Sequence, residues 1–132
     1  MPEEKKDEKP KKILIVEDEK ALRKALVSKF EKEGLTVLTA NDGEEGLEKA
    51  KAEHPDLTLL DIIMPRMDGI AMLDKLREDK WGKTAKVILL TNLNDTNRVS
   101  RAMQNDAFEY LIKSDWKLEE VVGKVKKKIW YM

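Results

Sequence analysis

The chain has 132 residues, of which 26 are basic, 26 acidic and none cysteine. That length suits one domain with a core of its own. The balanced charge argues against a general binder of nucleic acid or anionic membrane, which needs a basic excess, and the missing thiols exclude disulfides, zinc ribbons and cysteine catalysis.

Residues 1–12, MPEEKKDEKPKK, mix charges with two prolines and almost nothing apolar, a composition expected to form a disordered tail. The folded domain is expected over 13–132. No uncharged run exceeds eight residues, far short of the roughly 20 that a spanning helix needs. With no apolar N-terminal stretch there is no sign of a signal peptide, so a cytoplasmic protein is expected.

From Ile13 onward, short apolar runs alternate with longer amphipathic ones. Ile13–Val16 is an almost wholly apolar run, as in a parallel strand covered on both faces. Lys20 to Glu33 carries Leu22, Ala25, Leu26 and Phe30 at helical spacing, and Gly34 stops it. A second strand follows over Leu35 to Ala40, then a shorter helix over Gly43 to Ala52. His54-Pro55-Asp56 reads as a turn, and Leu57 to Leu60 as a third strand ending at Asp61. A helix over Gly69 to Asp79 turns Leu73 and Leu76 inward.

Val87 to Leu90 is the fourth strand, followed by Thr91. A helix is predicted over Asp95 to Asn105, with Asp95 as its cap. Tyr110 to Ile112 is a brief fifth strand, followed by Lys113. A last helix from about Asp115 buries Leu118, Val122, Val125 and Ile129. This alternation predicts an α/β fold: a doubly wound five-stranded parallel sheet with helices on both faces, flavodoxin-like in layout.

In such a sheet, ligands bind beyond the carboxyl ends of the strands. The residues there are Glu17 and Asp18 after strand one, Asp61 after strand three, Thr91 after strand four and Lys113 after strand five. Clustered carboxylates repel one another, and a hard divalent cation relieves them. Magnesium fits, because it takes few carboxylates, keeps waters and bridges to phosphate oxygens. The hydroxyl and the ammonium supply donors for the same oxygens. A carboxylate in this set can attack phosphorus and form an acyl phosphate.

The segment Asp61-Ile-Ile-Met-Pro-Arg-Met-Asp-Gly69 resembles the phosphoacceptor segment of response-regulator receiver domains. Glu17-Asp18 resembles that family's acidic pair, Leu90-Thr91 its strand-four hydroxyl residue, and Tyr110-Leu-Ile-Lys113 its strand-five aromatic and lysine. The resemblance implies that Asp61 accepts phosphate from a sensor histidine kinase or phosphotransfer protein. It implies that Asp18, Asp61 and the carbonyl of Ile63 bind Mg2+, with Glu17 acting through a metal-bound water. Thr91 and Lys113 would hold the phosphoryl oxygens, and Tyr110 would be the switch aromatic that follows Thr91. It places an output face on Arg98, Arg101, Tyr110 and Lys117, and a kinase-docking side on Arg23, Lys24 and Val27.

Three residues depart from the family pattern: Ser114 stands where a proline usually follows the lysine, Asn92 where a small residue usually follows the threonine, and Ile63 with Leu93 make the flanks of the site apolar. Neither flank can hydrogen-bond an attacking water, so a long-lived acyl phosphate is expected.

Competing readings follow from the same residues. Asp18 or Glu19 could simply cap the next helix. His54 reads as an inert surface histidine. Met64, Met67, Met72 and Met103 read as core and loop packing, Trp81, Trp116 and Trp130 as packing residues, and Lys124, Lys126, Lys127 and Lys128 as a solvated helix face. A magnesium-dependent aspartyl-phosphate phosphatase would need D-x-D at Asp61 and a cap domain; an FMN carrier would need a hydroxyl-rich loop where Glu17-Asp18-Glu19 stands. A degenerate receiver serving as a scaffold is the remaining alternative. The leading expectation is a signalling module, not an enzyme, acting through an unknown downstream protein as a monomer or a phosphorylation-dependent homodimer.

Overall fold

The computed structural model describes residues 10–91, 109–112 and 117–130. Its strands are β1 (Lys12–Val16), β2 (Thr36–Ala40), β3 (Leu57–Asp61), β4 (Val87–Thr91) and β5 (Glu109–Ile112). They form one five-stranded sheet in the order β2-β1-β3-β4-β5, and every neighbouring pair is parallel. The helices are α1 (Lys20–Lys32), α2 (Gly43–Glu53), α3 (Gly69–Glu78) and α4 (Leu118–Trp130), with a 3-10 turn at Gly82–Thr84 that the sequence pattern did not reveal. The helix expected over 95–105 lies outside the described residues.

Alternation along the strands splits the core in two, since successive strand side chains point to opposite faces. Leu14, Val16, Leu60, Val87 and Leu89 face Ala50 of α2 and Ile70, Met72, Leu73 and Leu76 of α3. Ile13, Ile15, Leu57, Leu59, Ile88 and Leu90 face Leu26 and Phe30 of α1 and Val121, Val125 and Ile129 of α4. The near-continuous apolar runs in β1, β3 and β4 are thus explained: both sides of each central strand are covered. Burial of each large aliphatic side chain there contributes about 1.5–3 kcal/mol.

Helix ends follow local chemistry. Gly34, at φ 87°, ends α1. Its N–H donates to the Glu31 carbonyl at 3.0 Å, and the Leu35 N–H donates to that of Phe30 at 3.2 Å, which makes a Schellman cap. Asp42 caps α2 by accepting from the Glu45 N–H at 2.9 Å, and Asp68 caps α3 by accepting from the Ala71 N–H at 2.8 Å.

Met64 and Met72 are buried in the core, as expected of packing methionines, and Met67 packs against it. Among the described residues, no helix is long and apolar enough to cross a membrane.

Candidate functional site

The chain runs from β1 out to β2 at one edge and then returns to β3 on the other side of β1. This reversal opens a crevice at the carboxyl ends of β1 and β3. The pairing of β1 continues one residue further, because the Glu17 N–H donates to the Ala40 carbonyl at 3.1 Å. Glu17 is therefore drawn fully inside, while Asp18 next to it is exposed. Asp61 is the last residue of β3 and is only 4% exposed.

One carboxylate oxygen from each of Glu17, Asp18 and Asp61 lies within 4.8 Å of the others. Oxygens on an octahedron of radius about 2.1 Å stand roughly 3–4.2 Å apart, so this all-oxygen set fits a small hard divalent cation after slight closure. Capping does not explain these acids. Glu19 stands at the N-cap of α1 without a side-chain cap bond. Instead the Glu19 N–H donates to Glu17 Oε2 at 3.1 Å, and Arg23 Nη1 donates to the Glu17 carbonyl at 2.8 Å.

Strand register extends the site across the sheet. Asp61 pairs with Leu90, which places Thr91 one step beyond it on β4. Thr91 pairs with Ile112 at the end of β5, and Tyr110 pairs with Leu89. Lys113, the next residue in sequence, lies outside the described residues, as do Asn92, Leu93, Arg98, Arg101 and Ser114.

The loop after β3 is fastened at both ends. The Ile62 N–H donates to the Leu90 carbonyl at 3.2 Å, and the Ile62 carbonyl accepts from the Gly69 N–H at 2.7 Å. Between these ends Met64 is buried, while Ile63 is 51% exposed. Arg66 has φ 65°, in the left-handed region that residues with a Cβ rarely adopt. The Met67 N–H donates back to the Pro65 carbonyl at 2.8 Å, closing a γ-turn of the rarer, positive-φ kind around Arg66.

Asp42 and Arg66 make a contact that reasoning from the sequence missed. Arg66 Nε donates to Asp42 Oδ2 at 2.7 Å, with Nη2 at 2.6 Å from the same oxygen. The Glu45 backbone N–H, and then the Arg66 guanidinium, hold the Asp42 carboxyl below its ordinary value. The cap itself had a sequence signal, Asp42 followed three residues later by Glu45. The Arg66 contact had none.

The family described as the response regulator receiver domain matches residues 13–126, and the chain belongs to that family. It is 47% identical over 70 residues to the alkaline phosphatase synthesis transcriptional regulatory protein PhoP of Bacillus subtilis, covering 53% of this chain and 29% of that one. A CheY-like receiver domain protein from Methanospirillum hungatei superposes with a TM-score of 0.84 at 29% identity, covering 92% of this chain and 94% of that one. CheY in a CheX-CheY-BeF3-magnesium complex from Borrelia burgdorferi gives 0.80 at 33% identity, with 89% and 88% covered. The chain spans 29% to 42% of the length of the first curated relatives it matches. It is thus a receiver domain of two-component signalling, with an acidic cluster compatible with Mg2+.

Proposed function

We propose that this receiver domain accepts a phosphoryl group on Asp61 from a phosphohistidine of a sensor kinase or phosphotransfer protein, and signals by protein–protein contact. The observation that carries this reading is the meeting of the Glu17, Asp18 and Asp61 carboxylates at the switch point of the sheet. A carboxylate oxygen of Asp61 forms a bond to phosphorus as the P–N bond to the donor imidazole breaks. The electron pair stays on the imidazole nitrogen, which then takes a proton from solvent.

Asp18, Asp61 and the Ile63 carbonyl would hold Mg2+, which would supply charge neutralisation for the transferring group. The magnesium named in the Borrelia complex supports that choice of metal. The burial of Glu17 and its bond from the Glu19 N–H support a role through a metal-bound water. Thr91 and Lys113 supply the hydroxyl and ammonium that bind phosphoryl oxygens, and Tyr110 is the aromatic that responds to Thr91. Turnover of a separate substrate forms no part of this reading.

Incubation with acetyl phosphate and Mg2+ tests it by intact-protein mass spectrometry. A gain of one phosphoryl group is expected, absent in Asp61→Asn and absent when EDTA replaces the metal. Modification that persists in Asp61→Asn, or none in the wild type, would rule the reading out.

A further inference from the structure

We propose that Arg66, acting through Asp42, is a positioning residue for the phosphoacceptor loop and hence for the Ile63 carbonyl on the metal; the proposal rests on the reading of Asp61 as acceptor. Ile63 is 51% exposed, so its side chain is not anchored in the core as that of Met64 is. Its direction depends on where the chain is fastened on either side. On one side, Ile62 is tied to Leu90 and Gly69. On the other, Met64 is buried and Arg66 turns the chain sharply at φ 65°.

A strained residue at a functional loop persists only when its surroundings hold it there. Here the holder is identifiable. Asp42 is only 4% exposed, and it divides its two oxygens between the two elements. Oδ1 accepts from the Glu45 N–H inside α2, and Oδ2 accepts from Arg66 in the loop. A second bond lies alongside: the Gly43 N–H donates to the Met67 carbonyl at 3.0 Å.

The approach is so close that a Cβ on Gly43 would fall 2.1 Å from that carbonyl oxygen. The first turn of α2 is thus a fixed wall against which the middle of the loop is clamped. A group that orients a metal ligand without touching the metal matters for affinity, and in this proposal Arg66 would act on Ile63 in that way, through the loop between them.

The test compares wild type, Arg66→Ala, Arg66→Lys, Asp42→Asn and the Arg66→Ala/Asp42→Asn double variant. Asn at 42 keeps an oxygen for the Glu45 N–H, so the helix cap survives while the ion pair is lost. Binding of MgCl2 is measured by titration calorimetry, and amide exchange by mass spectrometry. Arg66→Ala and Asp42→Asn should each weaken Mg2+ binding about tenfold, the lower end for losing a contact that supports a metal ligand.

The double variant should bind no more weakly than either single one, Arg66→Lys should recover part of the affinity, and the amides of Gly43 and Met67 should exchange faster in Arg66→Ala. A purely structural role predicts lower melting temperatures with unchanged Mg2+ affinity below the transition. That result, or losses that multiply in the double variant, overturns the proposal alone. A wild type that binds no Mg2+ removes the acceptor reading and the proposal with it.

Discussion

Gly69 lies so close beneath Asp61 that a Cβ built on it would fall 2.2 Å from the Asp61 carbonyl oxygen and 2.9 Å from Ile62 Cα. Both neighbours are backbone, so neither can swing aside. The Gly69 N–H is also spent on the Ile62 carbonyl. Gly69→Ala should therefore shift the end of β3 and cost on the order of 1–3 kcal/mol, the usual price of overpacking. It should also slow phosphorylation by acetyl phosphate well beyond what the stability loss explains, because the displaced residue carries the carboxylate proposed as acceptor. Urea denaturation and a mass-spectrometric time course check the two effects, and wild-type values in both would refute the steric argument.

Three carboxylates at one point repel when no cation lies among them. Asp61→Asn removes one charge and should stabilise the metal-free protein by about 1 kcal/mol, or roughly 3–6 °C in Tm. In the wild type, Mg2+ at tenfold its Kd should add about 1.4 kcal/mol by linkage, and that gain should shrink or vanish in the variant. Melting curves in EDTA and in MgCl2 separate the terms. Equal metal-induced shifts in both proteins would mean that the cation binds elsewhere.

The parts of the fold and site that were legible in the sequence are those fixed by local pattern. Central parallel strands must be apolar on both faces, so Ile13–Val16 and Leu57–Leu60 announced themselves, and the acids that end such runs could only stand at the carboxyl edge. Gly34 was readable because a left-handed cap selects glycine. The His54–Trp81 stack, with centroids 4.4 Å apart and planes 7° from parallel, was not readable. It joins two loops distant in sequence: His54 lies at the surface, as its turn context implied, and its ring stacks on Trp81. The Asp42–Arg66 pair was hidden for the same reason, since it depends on a turn around Arg66 that no residue preference announces.

Ile63, two residues beyond Asp61, is 51% exposed. An aliphatic side chain there offers no hydrogen bond to a water approaching the acyl phosphate. The phosphorylated protein should accordingly persist for minutes or longer in Mg2+ buffer, and Ile63→Asn, which can orient a water, should shorten its lifetime by roughly tenfold, within the range set by positioning effects. Phosphate release after removal of the donor measures both. A wild-type half-life of seconds, unchanged in Ile63→Asn, would show that another group positions the water.

Asp42 makes a distinct contribution to acid stability. Its carboxyl is held below its ordinary value of 3.8 by the Glu45 N–H and by Arg66, so in the folded state it favours the charged form. The stability it adds is fully present above 3.8 and is lost as the pH falls through the depressed folded value. Asp42→Asn should therefore be less stable than the wild type at pH 7, with the gap closing as the pH falls below 3.8. Urea unfolding across that range follows the gap, and a difference that does not depend on pH would assign the loss to packing rather than charge.

Thr58, in the middle of the sheet, has an exposure of only 1%, and its hydroxyl oxygen has no hydrogen-bond partner among the described residues. Its backbone N–H is already used, donating to the Lys86 carbonyl at 2.9 Å. A buried hydroxyl without a partner gives up its hydration and receives nothing in exchange, at a cost of about 1–3 kcal/mol. Valine has nearly the same shape and suits a central strand. Thr58→Val should therefore raise the unfolding free energy by about 1 kcal/mol and leave phosphorylation unchanged, because the residue lies at the opposite end of β3 from Asp61. Destabilisation in urea would show that the hydroxyl has a bonding partner after all.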